Sequence, residues 1–314
     1  MIFLMRRALV LVITLLSVSF LVFMIPYITP GDPVRKILRA RTGDLDLDPE
    51  AVERLRVAYG LDRPLHEQYL DWLGRALTGD LGLSFTSRAD VAGMLGSALG
   101  VTATLAVAAL LFALLVALPL GSIAAIRRGR PADTIITTVT QAFVAIPEYW
   151  MAPVLVLVFA LRLGALPSAG WDDPRYMILP CLTLALRPMS YFTQVTRASM
   201  IDVLESPHIV AARSRGLSFG VAMVRHGVRN AILPVVTLFS VWLAGLLGGS
   251  VVVEVIFSIP GMGRLLYTAV VNSDTPVLQA AVVCIVGLTI IITTLTDVLY
   301  AVINPTVRSA NVAA

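Results

Sequence analysis

The sequence predicts an all-α integral membrane protein with six transmembrane helices and a helical extracytoplasmic segment between the first and the second. Three observations carry this. Of 314 residues, 57% are hydrophobic and only 14% are charged. With a mean hydropathy of +0.85, that is more apolar surface than a soluble domain can hide. Six apolar runs have about the 20 residues that a spanning helix needs. Arginine clusters fall at every second junction between runs, as expected where basic residues stay in the cytoplasm.

The first run, 8–28, follows Arg6 and Arg7. It is too long for the apolar region of a typical signal peptide, and no A-x-A site follows. Residues 1–29 therefore read as a retained helix with a cytoplasmic N-terminus. The segment 30–98 is structured. Val52, Leu55, Val57 and Leu61 have helical spacing, and so do Leu65, Tyr69, Leu70, Trp72, Leu73 and Leu77. Asp48-Pro49-Glu50 is a helix start with proline at the first helical position. Asp80 to Ser84 reads as a turn. This segment is a lid or docking surface on the outer face, or a cap that only shields loops.

Residues 99–308 form a core of five further spans, 99–126, 134–161, 177–196, 231–257 and 277–303, and 309–314 are a tail. Pro147 interrupts the third span of the chain, and Pro180 and Pro188 the fourth. Such prolines are tolerated where neighbours satisfy the freed backbone, which points to a bundle interior. Arg127, Arg128 and Arg130 lie between spans two and three. Arg197, Arg213, Arg215, Arg225 and Arg229 lie between four and five, and Arg308 follows six. With the N-terminal pair, all fall on one side, so both termini are cytoplasmic. Pro260, Gly261 and Gly263 mark a tight outer turn between spans five and six, and Asp274 and Pro276 introduce span six as an N-cap region would.

Several function classes are excluded. The net charge of +4 is spread in short clusters, unlike a nucleic-acid surface. Cys181 and Cys284 sit inside apolar runs and read as packing residues. His66, His208 and His226 are too scattered for a metal cluster. No catalytic or nucleotide-binding motif is present, and Gly261-Met262-Gly263 does not follow a strand. The chain reads as a non-catalytic subunit that binds no cofactor. Any ATP energy must come from another chain.

Two groups of residues stand out. Ionisable residues inside spans are functional candidates by default, and Arg187 lies near the centre of span four. It faces a water-filled path and meets substrate carboxylates, or it pairs internally with Glu148 or Asp297. Glu148 and Glu254 lie near span ends, where they can reach water. Gly248 and Gly249 in span five allow close packing or backbone movement and complete the path group. The second group is the polar stretch 206–234, basic and broken at Gly216. A short helix fixed by such a break can dock as a rigid knob. A lipid-facing positive loop accounts for the charge but not for the break.

Several runs resemble one family. They are YGLDRPL at 59–65, QYLDWL at 68–73, GDLGLS at 79–84 and EVIFSIPGMGRL at 254–265. The most diagnostic is AARSRGL at 211–217, followed by RHGVRNAILP at 225–234. Together they resemble the inner-membrane permease subunits of bacterial ABC importers, in the dipeptide/oligopeptide/nickel class, over almost the whole chain. The 211–234 region is similar to the "EAA" loop of such permeases.

The resemblance implies a type I, MetI-like importer fold and location in the bacterial cytoplasmic membrane, in contact with lipid. It implies a heterodimer with a second permease, two cytosolic ATPases that use ATP and Mg, and an extracytoplasmic binding protein. It makes Ala211, Ala212, Arg213, Ser214, Arg215, Gly216 and Leu217 the ATPase-coupling residues within the loop 198–230, with His226 and Asn230 holding a second short helix. Dipeptides or oligopeptides are the expected cargo, with nickel, haem or another small solute as alternatives. A stand-alone secondary transporter or channel would instead need internal repeats. An intramembrane enzyme would need paired catalytic groups at matching depth.

Overall fold

The computed structural model describes residues 2–28, 32, 34–35, 38, 48–58, 60–207, 211, 214–216 and 228–303. In chain order the helices are α1 (Ile2–Ile28), α2 (Pro49–Ala58), α3 (Leu65–Leu77), α4 (Val91–Ile126), α5 (Pro131–Ala145), α6 (Glu148–Leu155), α7 (Ile178–Leu204), α8 (Val228–Gly249), α9 (Val251–Ile256), α10 (Met262–Val271) and α11 (Thr275–Ile303). A π-helical stretch, Val156–Arg162, continues α6, and a 3-10 turn, Pro174–Met177, leads into α7. The amide of Arg175 donates to Asp173 Oδ1 at the start of that turn and holds this carboxyl below its usual range. Among the described residues, β pairing is confined to one bridge, Leu83 to Asp90.

Among the described residues, α1 (over Ala8–Ile28), α4 and α11 (over Thr275–Thr296) are long and apolar enough to cross a membrane. The pair Pro131–Ala145 and Glu148–Arg162 passes together as a fourth span, bent by 100°. The bend is written in the sequence at Pro147. Proline drives its predecessor out of the helical region, and both Ile146 (ψ 119°) and Pro147 (ψ 141°) are extended. The runs 177–196 and 231–257 are helical but do not meet this standard alone. Helix α7 has the length, but Thr183, Ser190, Thr193 and Thr196 are buried polar residues along it. In the other run, Ser250 separates α8 from the short α9.

The chain forms two compact units, residues 1–102 with 260–290, and 103–259 with 291–314. In the first unit, Val91, Leu95, Met262, Ala269, Val277, Ala280 and Ala281 form a buried cluster. Helices α2 and α3 occur where apolar spacing predicts them, and Asp48 Oδ1 accepts from the amide of Glu50 at 3.1 Å. Helix α3 packs on α1 through aromatic rings. Tyr69 lies 5.4 Å from Phe20 and 5.5 Å from Phe23, and Trp72 lies 6.4 Å from Phe23. Tyr69 and Ser19 hydroxyls meet at 2.8 Å, and Tyr27 donates to Gln68.

The structure corrects two local expectations and extends a third. Helix α4 starts at Val91, before the anticipated 99. A ten-residue helix, α10, stands in the 258–276 region where only a turn was expected. Asp274 introduces α11 as expected, its carbonyl accepting from the amide of Leu278 at 2.9 Å, and its side chain does more. Its carboxylate, 4% exposed, accepts from the Ser84 hydroxyl and from the amides of Phe85 (3.0 Å) and Thr86 (3.3 Å). The 80–88 loop is thereby tied to the start of the last helix. Removing the carboxylate strands three donors, so Asp274→Ala should destabilise the solubilised protein by about 2–3 kcal/mol, measured as a drop in thermal unfolding temperature. Ser84→Ala should lose about half as much.

Candidate functional site

In the second unit, α7 is the hub: α5, α6, α8 and α9 all pack against it. Rings line its seam with α8, Tyr191 to Trp242 at 5.5 Å and Phe192 to Phe239 at 6.5 Å. Helix α4 comes close at Gly121, where a Cβ would sit 2.6 Å from the carbonyl oxygen of Thr193. Only glycine fits that approach.

The corner between α4 and α5 is built for one contact. A turn runs through Arg127–Arg130, with Gly129 in the left-handed region at φ 74°. Pro131 then opens α5 at its first position. This places Asp133 in the first turn, where the helix dipole favours a carboxylate. Arg197 of α7 grips it bidentately, Nε to Oδ1 at 2.6 Å and Nη2 to Oδ2 at 2.7 Å. The Gly129 amide adds a third bond at 3.0 Å. Asp133 is 5% exposed while the Arg197 side chain is 27% exposed, so this charge-assisted pair is buried on the carboxylate side and reaches solvent on the other. Arg128 and Glu205 form a second bridge at 2.6 Å, well exposed and therefore weak. Sequence reasoning identified Arg197 only as a basic residue and missed Asp133. The available signal was an acid and an arginine each one residue outside an apolar segment, at ends assigned to the same membrane side.

Helix α7 ends at Leu204, and the chain runs on into the expected coupling stretch. Ala211 and Ser214 are helical, and the Arg215 amide donates to the Ala211 carbonyl at 3.3 Å. Gly216 follows at φ 86°, with no atom within 4 Å of where a Cβ would stand. A helical turn thus ends in a left-handed glycine, as C-terminal helix caps do. All four residues are exposed. Ala212, Arg213, Leu217 and His226 lie outside the described residues, as does the side chain of Asn230 in the first turn of α8.

The path group is dispersed over two packed helices. Arg187 is exposed on α7, and Gly248 and Gly249 close α8. Glu148, half-buried at the start of α6, lies within the field of the Arg187 charge. Among the described residues Arg187 has no salt bridge, and the side chain of Asp297 lies outside them. Glu254 departs from expectation. It does not reach water but is fully buried, and Ser250 donates to its Oε1 at 2.7 Å. Among the described residues, no three His, Cys, Asp or Glu side chains are grouped to hold a metal.

Comparison with known proteins covers the whole of this arrangement. Residues 117–309 match the family of binding-protein-dependent transport system inner membrane components, and residues 1–106 match the N-terminal region of that family. The glutathione transport system permease protein GsiC of Escherichia coli O6:H1 is 38% identical over 303 residues, covering 96% of this chain and 97% of its own. The protein of the same name from Shigella flexneri serotype 5b gives the same identity and coverage. Among solved structures, an inward-facing MetNI methionine ABC transporter superposes with a TM-score of 0.56 at 17% identity, over 67% of this chain and 96% of that one. An amino acid ABC transporter with histidines gives 0.50 at 18%, over 67% and 92%. These place the fold among MetI-like permeases.

The partly buried pair should dominate the stability of its corner. Arg197→Ala leaves the Asp133 carboxylate without its guanidinium and should lower the unfolding free energy by about 2–4 kcal/mol. Asp133→Ala should do the same, and the double variant should lose much less than the sum. A double-mutant cycle on the purified protein measures this coupling.

Proposed function

The chain belongs to the family of binding-protein-dependent transport system inner membrane components and is a permease subunit of an ABC importer; on that premise we propose that it carries small peptides across the bacterial cytoplasmic membrane by alternating access. The observation that carries the cargo is the near full-length similarity to a glutathione permease, since glutathione is a small peptide. Both termini are cytoplasmic, and the 30–98 segment faces the substrate side. A second permease subunit completes the pore. Two ATPases bind beneath and hydrolyse ATP with Mg. An extracytoplasmic binding protein delivers the cargo. The chain itself is non-catalytic.

The geometry of the second unit supports the following mechanism. The 211–216 stretch is the part of the chain on which an ATPase pushes. It is separated from α7 by only a few residues, and α7 is locked to the α4–α5 corner through Arg197 and Asp133. A push on the stretch moves α7 and the corner as one body, which rigid-body alternating access requires. Arg187 lines the path that this movement opens, where its charge meets peptide carboxylates.

The test is a reconstituted complex with its partner chains. Peptide should accumulate only when ATP and the binding protein are both supplied. Full activity from the lone polypeptide would refute the reading. Gly216→Val forces a β-branched residue into φ 86° and should reduce uptake at least about tenfold while ATP hydrolysis persists, since the defect is in coupling. Arg187→Ala should cut uptake without changing the amount of protein in the membrane, measured by transport alongside quantitative blotting.

A further inference from the structure

The first unit contains a cavity of about 1160 Å³, on the scale of small-molecule sites at about 300–1,000 Å³. Its walls are well anchored. One is the face of α3 that carries Gln68, Asp71, Trp72 and Arg75, residues spaced to share one side of a helix. Another is the end of α1 with Phe23 and Tyr27, held to α3 by the Tyr27–Gln68 hydrogen bond and the Phe23–Trp72 contact. The third is the 80–88 loop, tied by the buried Asp274 to the start of α11.

Six charged residues line it: Asp62, Arg63, Asp71, Arg75, Asp80 and Arg88. They divide into used and unused charges. Arg63 and Asp71 bind each other at 2.7 Å. Asp80 accepts from the amide of Gly82 within its own turn. Among the described residues, the side chains of Asp62, Arg75 and Arg88 have no hydrogen-bond or salt-bridge partner. Arg88 is also strained. Its φ is 58°, in the left-handed region, where a residue other than glycine is uncommon. The Arg88 amide donates to Ser84 and the Ser84 amide to Ala89, so the loop enforces this conformation. Strain of this kind gathers at ligand sites.

From this we infer that the cavity is a binding site for a small peptide bearing one ammonium and two carboxylates, with Asp62 taking the ammonium and Arg75 and Arg88 a carboxylate each. The aromatic wall of Phe23, Tyr27, Trp72 and Phe85 covers the apolar body of the peptide. A guanidinium suits a carboxylate in particular, because its fork makes two parallel bonds. Glutathione has this complement of charges. The inference rests on the peptide reading above and narrows it to peptides of net negative charge.

The experiment uses the complex with its partner chains in lipid nanodiscs, without the binding protein. Equilibrium dialysis compares Glu-Ala-Gly with Gln-Ala-Gly, which differ by one carboxylate. The acidic peptide should bind about tenfold more tightly. That preference should vanish in Arg75→Gln with Arg88→Asn, where asparagine tolerates the left-handed backbone. Equal affinities in the native complex, or a preference that survives in the variant, would overturn the site. In a parallel pull-down with the binding protein added, a variant that keeps peptide binding intact but loses only that association makes the cavity a protein-docking surface, and the inference fails. Uptake assays separate the two levels. A complex that imports peptides without this preference defeats the cavity alone, whereas one that imports no peptide defeats the functional reading.

Discussion

The contact between Asp133 and Arg197 constrains the second unit more than any other polar interaction described. A carboxylate 5% exposed is costly to remove from water without a partner. Here the partner is a planar guanidinium in a two-bond grip, with the Gly129 amide as a third donor. The contact joins residues far apart in sequence. It fixes where α5 begins relative to α7, and therefore where the bent α5–α6 pair sits against the hub helix. The glycine at 121 and the ring seam with α8 then pack around a helix whose position is already set.

The first unit follows the same logic with a different carboxylate. Asp274 is buried and satisfied by a hydroxyl and two amides. It holds a loop that apolar packing would not hold alone, because Thr86, Ser87 and Arg88 are exposed. In each unit one acidic residue near the start of a helix binds a distant piece of chain. Hydrophobic length makes the helices, and these buried carboxylates decide which distant helix or loop meets their starts.

Much of this was legible in the sequence, to the extent that it depends on local pattern. Apolar length gave α1, α4 and α11. Period gave α2 and α3, and Pro147 gave the break before α6. A break at Gly216 was anticipated, and the structure shows it as a left-handed backbone at φ 86°. What was missed depends on distance or on competing signals. Helix α10 carries an apolar stripe at Met262, Leu265, Leu266 and Ala269, but Pro260, Gly261 and Gly263 read more loudly as a turn. Glu254 stands near a run's end, and nothing local told that it is fully buried with Ser250. Asp133 and Arg197 are each unremarkable alone. Their pairing comes from the packing of α5 on α7, which no window of sequence contains.

The account turns on whether the corner and α7 move together when an ATPase acts on the stretch beyond Leu204. Spin labels at Ile135, exposed on α5, and at Asp202, exposed on α7, report that geometry directly in the reconstituted complex. Their distance distribution, recorded by pulsed electron spin resonance in nucleotide-free and ATP-trapped states, should be narrow and the same in both. With Asp133→Asn it should broaden or shift on ATP binding. A native complex whose distribution moves between the two states would contradict the claim that the ion pair makes α5 and α7 one body.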